Sequence, residues 1–145
     1  MAATKKSSGS ARAKASIPQI AWHEIRSAPV VLVTGPESFL ADRASTMLRD
    51  ALRGHDPSLE VHDLSADTYA PGELLTLASP SLFGEPRMIR VAGVEKCTDA
   101  FLEDALSFLE QPADDTVVLL RHGGGMRGKK LLDAIRGGAG GGIEV

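Results

Sequence analysis

One cysteine, one tryptophan and one tyrosine in 145 residues set the first limits on this chain. A lone Cys97 excludes an intramolecular disulfide and any cysteine-based zinc cluster, and it fits a reducing, cytoplasmic compartment. Aromatic residues make up 4% of the sequence, too few to build the stacking platforms on which single-stranded nucleic acid lies. No stretch approaches the roughly 18 continuous apolar residues of a membrane-spanning helix. The N-terminus holds charge and serine without an apolar core, so it does not read as a secretory signal. His23, His55, His62 and His122 are scattered without metal-ligand spacing and read as surface residues. No metal, no cofactor and no membrane partner are expected.

What is present is an ordinary soluble composition, 43% apolar and 24% charged, enough for one core and not for two. The charge is uneven. Lys5, Lys6, Arg12, Lys14 and Arg26 against Glu24 alone put the first 29 residues at +4, so the net −3 leaves −7 on the rest. Residues 1–16 read as a disordered basic leader with little to bury. The acidic body disfavours broad contact with nucleic acid.

Hydrophobic periodicity divides the remainder. Residues 17–27 read as a short helix with a partial stripe of Ile20, Ala21, Trp22 and Ile25, ended by Pro29. Val30, Val31, Leu32 and Val33 form a continuous run closed by Gly35-Pro36, the pattern of a strand buried on both faces. A helix over 37–53 follows, with Leu40, Ala44, Met47, Leu48 and Ala51 on one face and Gly54 as its stop. Strands are expected at 59–64, 87–92 and 116–120. Helices are expected at 74–78, 98–111 and 129–136, with flexible glycine stretches at 123–125 and 137–142. Residues 143–145 resemble the start of another strand. Strand and helix alternate, which predicts a three-layer α/β fold: a mostly parallel sheet with helices on both faces.

In such folds the first strand-to-helix turn is the natural phosphate site. Here it runs Thr34, Gly35, Pro36, Glu37, Ser38. A phosphate loop needs a second glycine, a lysine and a hydroxyl, and Phe39, Leu40 and Ala41 supply none of them. Pro36 removes an amide donor and Glu37 adds negative charge. The turn is therefore expected to be a degenerate phosphate site. A phosphoacceptor domain would need acids after the first and third strands, where Thr34-Gly35 and Ala92-Gly93 stand. Cys97 has no neighbouring base. Asp114-Asp115 reads as a solvated turn, and Arg121, Arg127, Lys129 and Lys130 gather around a glycine-rich loop.

One segment remains. Ser81, Leu82 and Phe83 lie between a Ser79-Pro80 break and a Gly84-Glu85-Pro86 break. Breakers on both sides predict an exposed turn rather than a regular element. An adjacent Leu-Phe there either tucks into its own core or faces another protein.

Residues 31–40, residues 79–91 with Ser81-Leu82-Phe83 and Arg87, then Asp114-Asp115 and the basic loop through Lys129-Lys130 resemble, in order and spacing, the delta subunit of bacterial DNA polymerase III. The resemblance covers about residues 30–145. It implies a RecA-like AAA+ domain of the P-loop NTPase type with a degenerate nucleotide site at Gly35, Pro36 and Glu37. It also implies that Leu82 and Phe83, with Ser81, enter an apolar pocket on the ring-shaped β sliding clamp and help open it during DNA replication. Residues 17–145 would then be the N-terminal clamp-binding domain, without the lid and collar domains through which such subunits join other clamp-loader subunits. No catalytic residue is implied within the chain, although the assembly it resembles serves a DNA-directed DNA polymerase, and DNA contact would be indirect. The alternative is a small nucleotide-dependent α/β enzyme with an irregular phosphate loop.

Overall fold

Five short β-rich segments organise the chain into one parallel sheet. In the computed structural model, which describes residues 17–80 and 82–145, the strands are β1 (Val30–Thr34), β2 (Glu60–Ser65), β3 (Arg87–Ala92), β4 (Thr116–His122) and β5 (Ile143–Glu144). Their order across the sheet is β2-β3-β4-β1-β5, and every pairing is parallel. The expected leader over 1–16 and Ser81 lie outside the described residues.

Alternation along each strand sends side chains to two separate cores. Val30, Leu32, Ile89, Val91, Val118 and Leu120 face one of them. On that side pack α2 (Glu73–Leu77), α3 (Asp99–Glu110) and α4 (Lys129–Arg136). Val31, Val33, Met88 and Leu119 face the other, against α1 (Ser38–His55). Helices on both faces of a parallel sheet are the three-layer arrangement the alternation predicted. Among the described residues no helix is long and apolar enough to cross a membrane.

Local chemistry explains most boundaries. Thr98 caps α3 by accepting the Phe101 N–H on its hydroxyl at 3.1 Å. At the end of α1, Asp56 accepts both the Ser58 N–H (3.0 Å) and the Ser58 hydroxyl (2.6 Å), and the following Pro57 disfavours helical backbone at Asp56. The stop is therefore Asp56, and Gly54 sits inside the helix.

Three expectations need correction. Residues 17–27 are not a helix beyond the single 3-10 turn Trp22–Glu24. Residues 18–20 run beside β5, where Glu144 N–H donates to Pro18 O and Ile20 N–H donates to Glu144 O, both at 2.9 Å. Pro18 lacks an N–H and joins only as an acceptor, as suits a sheet edge. The buried face of α1 is Ala41, Ala44, Ser45 and Leu48; Met47 and Ala51 are exposed and Leu40 is half-buried, a face rotated by one position. The glycines over 137–142 form a packed turn. A Cβ on Gly142 would lie 2.7 Å from Val30 O, so close approach requires glycine there, while Gly140 combines a positive φ of 80° with a Cβ position 2.8 Å from Leu109 Cδ2.

Candidate functional site

The connection from α2 to β3 enters the sheet at the edge where β2, β3 and β4 begin. Leu82 and Phe83 stand on it with 97% and 84% of their surface exposed. Packing of this pair into the chain's own core is thereby ruled out. Both shoulders of the connection are fixed. On the helix side, Ala78 N–H donates to Leu74 O and Ser79 N–H to Thr76 O. On the strand side, Pro86 O accepts Glu60 N–H at 3.0 Å and Arg87 N–H donates to Asp115 O at 2.9 Å.

The Arg87 side chain braces the interval between those shoulders. Its Nη1 donates to Leu77 O at 2.5 Å and to Ser79 O, and its Nε lies 3.5 Å from Glu60 Oε1. From sequence Arg87 is only a basic residue at a strand start, because its partners are carbonyls that any residue would supply. The N-terminus of α2 is held from another helix. Asp104 of α3 accepts the Tyr69 hydroxyl (2.5 Å) and the Gly72 N–H (2.7 Å), while the Tyr69 oxygen accepts the Leu74 N–H at 2.7 Å. Burial, then the Asp104 carboxylate, pushes the Tyr69 hydroxyl well above its ordinary pKa. The hydroxyl therefore remains a donor.

The turn after β1 lies at the opposite, C-terminal edge of the sheet. Gly35, Pro36 and Glu37 are all exposed. Gly35 N–H is spent on His122 O at 3.0 Å, and Pro36 has none to offer. Counted from Gly35, the second glycine, lysine and hydroxyl of a phosphate loop fall on Leu40, Ala41 and Asp42, one place later than the sequence reading put them, and none of the three supplies the required group. Ala41 is packed against the sheet, and Asp42 accepts Arg121 Nη1 at 2.7 Å.

A cleft of about 270 Å³ opens beyond this turn, lined in part by Pro36, Gly93, Glu95 and His122. The Glu95 carboxylate accepts Gly123 N–H at 2.7 Å. Burial opposes its charge, but that hydrogen bond, one from its own backbone N–H and the Lys96 charge outweigh burial and hold its pKa below the ordinary value. A phosphate entering the cleft therefore meets an ionised carboxylate.

A neighbouring cleft of about 510 Å³ is lined by Arg90 and Arg121 as well as Asp63 and Asp42. Arg90 binds Asp63 through two hydrogen bonds of 2.7 and 3.0 Å, so each guanidinium there already has its carboxylate. Two of the cations around the glycine-rich loop are similarly occupied. Arg127 pairs with Asp99 and Lys129 with Asp133, both at 2.7 Å.

His122 corrects the sequence-based expectation of a surface histidine, since it is 2% exposed. Its Nε2 lies 2.7 Å from Arg127 O, and Gly124 N–H donates to Nδ1 at 3.1 Å. A carbonyl only accepts and an amide N–H only donates, so the ring is the neutral Nε2–H tautomer. The two bonds shape the loop after β4. An apolar run ending in a histidine was the available hint. Cys97 is buried, and burial pushes its thiol pKa up, which makes it a bystander.

No protein-family model and no curated protein sequence matches the chain. Two solved structures of RuvB from Thermotoga maritima are similar in fold: one of a point mutant, the other described as a Holliday junction branch migration motor. The TM-scores are 0.50 and 0.51, each at 15% identity. Each match covers 79% of this chain, which spans only 37% of the length of the RuvB chain. At this identity the likeness shows the fold alone, and it joins the five-stranded parallel sheet in assigning the architecture. The chain has an AAA+-like, RecA-type three-layer α/β fold.

Proposed function

We propose that this chain is a non-catalytic, clamp-binding domain of the delta type found in bacterial clamp loaders. Leu82 and Phe83 would be its anchor in an apolar pocket of the β sliding clamp, and Ser81 the residue leading into that anchor. One observation carries the proposal: two adjacent large apolar side chains stand out of the surface on a connection braced at both shoulders. Burying both would supply roughly 3–6 kcal/mol before entropic losses, the scale of an interface hot spot. The order of segments that resemble the delta family supports it, as does the AAA+-like fold. Other clamp-loader subunits would be its further partners. A cytoplasmic location follows from the same role. The alternative, a nucleotide-dependent enzyme, is disfavoured by Glu95 and Ala41 at the phosphate position.

Titration of the full chain with its cognate β sliding clamp tests the assignment. Leu82→Ala/Phe83→Ala should weaken binding by about two orders of magnitude, because it removes the anchor. It should leave the melting temperature unchanged, since neither side chain is buried. A double variant that binds as tightly as the parent would sink the proposal.

A further inference from the structure

Arg87 opens β3, yet its guanidinium reaches back across the connection that precedes it. Nη1 carries two hydrogens and meets two acceptors, Leu77 O at the last residue of α2 and Ser79 O at the first turn of the loop. Nε approaches Glu60 on the neighbouring strand at 3.5 Å. The Arg87 side chain is only 15% exposed, whereas Leu82 and Phe83 are almost fully exposed. One planar cation thereby ties the start of the loop to its end.

A loop held in one arrangement loses less conformational entropy when a partner orders it, and a larger fraction of molecules is binding-competent at any moment. Lysine is a poor substitute, because a single ammonium cannot reproduce the fixed fork that reaches two carbonyls and a carboxylate. We infer that Arg87 is a positioning residue: it presets the Leu82–Phe83 anchor for its protein partner without touching that partner. The inference rests on the clamp-binding role proposed above.

The test uses the full chain as parent, Arg87→Met and Arg87→Lys, with Leu82→Ala/Phe83→Ala as reference. Three quantities are measured: clamp association and dissociation rates, the rate of chymotryptic cleavage after Leu82 and Phe83, and the melting temperature. Arg87→Met should bind about ten-fold more weakly, chiefly through slower association, because fewer molecules carry a preset loop. Cleavage should quicken in the same variant, and Arg87→Lys should fall between it and the parent in both readouts. Unchanged affinity would reduce Arg87 to a helix-end brace and overturn the inference. Weaker binding with unchanged cleavage would do the same by making Arg87 a direct contact. Should Arg87→Met fail to fold, the same two comparisons on Arg87→Lys decide. If the parent does not bind the clamp, or the double-alanine reference binds as well as the parent, the clamp role fails. Cleavage then still reports whether Arg87 holds the loop.

Discussion

Glu144 shows how much one side chain does in this fold. It is 5% exposed on β5, and its carboxylate accepts Arg136 Nε at 3.0 Å and Nη2 at 2.7 Å, with Thr34 and Gln19 hydroxyl and amide groups at 3.2 and 3.4 Å. These donors join α4, the end of β1 and the extended segment before it around a single anion. Burial alone would raise the Glu144 pKa; the hydrogen bonds and charge of Arg136 outweigh it, so the folded value lies below the ordinary one. A depressed folded pKa contributes stability that is present above the unfolded value and lost as pH falls through the folded value. Arg136→Met should therefore cost about 3 kcal/mol at neutral pH, since it strands a buried carboxylate. The gap between parent and variant should shrink as pH falls, first as the variant's stranded Glu144, raised by burial, takes up a proton and then as the parent's depressed Glu144 does. Urea denaturation at pH 7 and pH 3.5 measures it, and a gap of equal size at both would refute the account.

At the scale of elements, the sequence was readable wherever local chemistry decides. Arg87–Ala92 and Lys129–Arg136 occur where periodicity and flanking breakers put them, and Thr98 caps the helix it precedes. The two breakers around Leu82-Phe83 were enough to expose the pair. Contacts distant in sequence were not readable. Residues 18–20 pair with Glu144, more than 120 residues away, so a weak helical stripe lost to a sheet edge. The face of α1 followed the sheet it packs on rather than its own largest side chains. The supports of the Leu-Phe loop were hidden for the same reason, since Arg87 and Asp104 act on backbone groups. Tyr69 lets one support be tested alone. Its ring packs edge-on against Phe101 with centroids 5.2 Å apart, and Tyr69→Phe keeps that contact while removing the oxygen that serves Leu74 and Asp104. The variant should lose about 1–3 kcal/mol, the cost of leaving a buried amide and a carboxylate short of partners. An unchanged urea midpoint would show that α2 is held by its apolar contacts instead.

In the whole molecule, the two ends of the parallel sheet carry opposite characters. The entering edge bears the exposed Leu-Phe pair, and the leaving edge bears the cleft that in AAA+ ATPases would receive phosphate. Here four features of that cleft work against an anion. Its glycine amide is bonded to His122 O, its lysine position is a packed alanine, Arg121 is paired with Asp42, and Glu95 is ionised within it. The AAA+-like fold thus serves, on the proposed role, as a rigid mount for the anchor rather than as a motor. A ring opens on binding only if the binder favours the open form over the closed one, so the mount matters as much as the anchor it carries. Nucleotide should be irrelevant to both. Millimolar ATP with magnesium should leave the melting temperature and the clamp affinity of the full chain where they were. A ligand present at ten times its Kd would add about 1.4 kcal/mol, several degrees for a domain of this size, which is well within reach of calorimetry. A rise of that size would return the cleft to the nucleotide-binding class and remove the case for a non-catalytic domain. It would leave the Leu82–Phe83 anchor standing, because the two sites lie at opposite edges of the sheet.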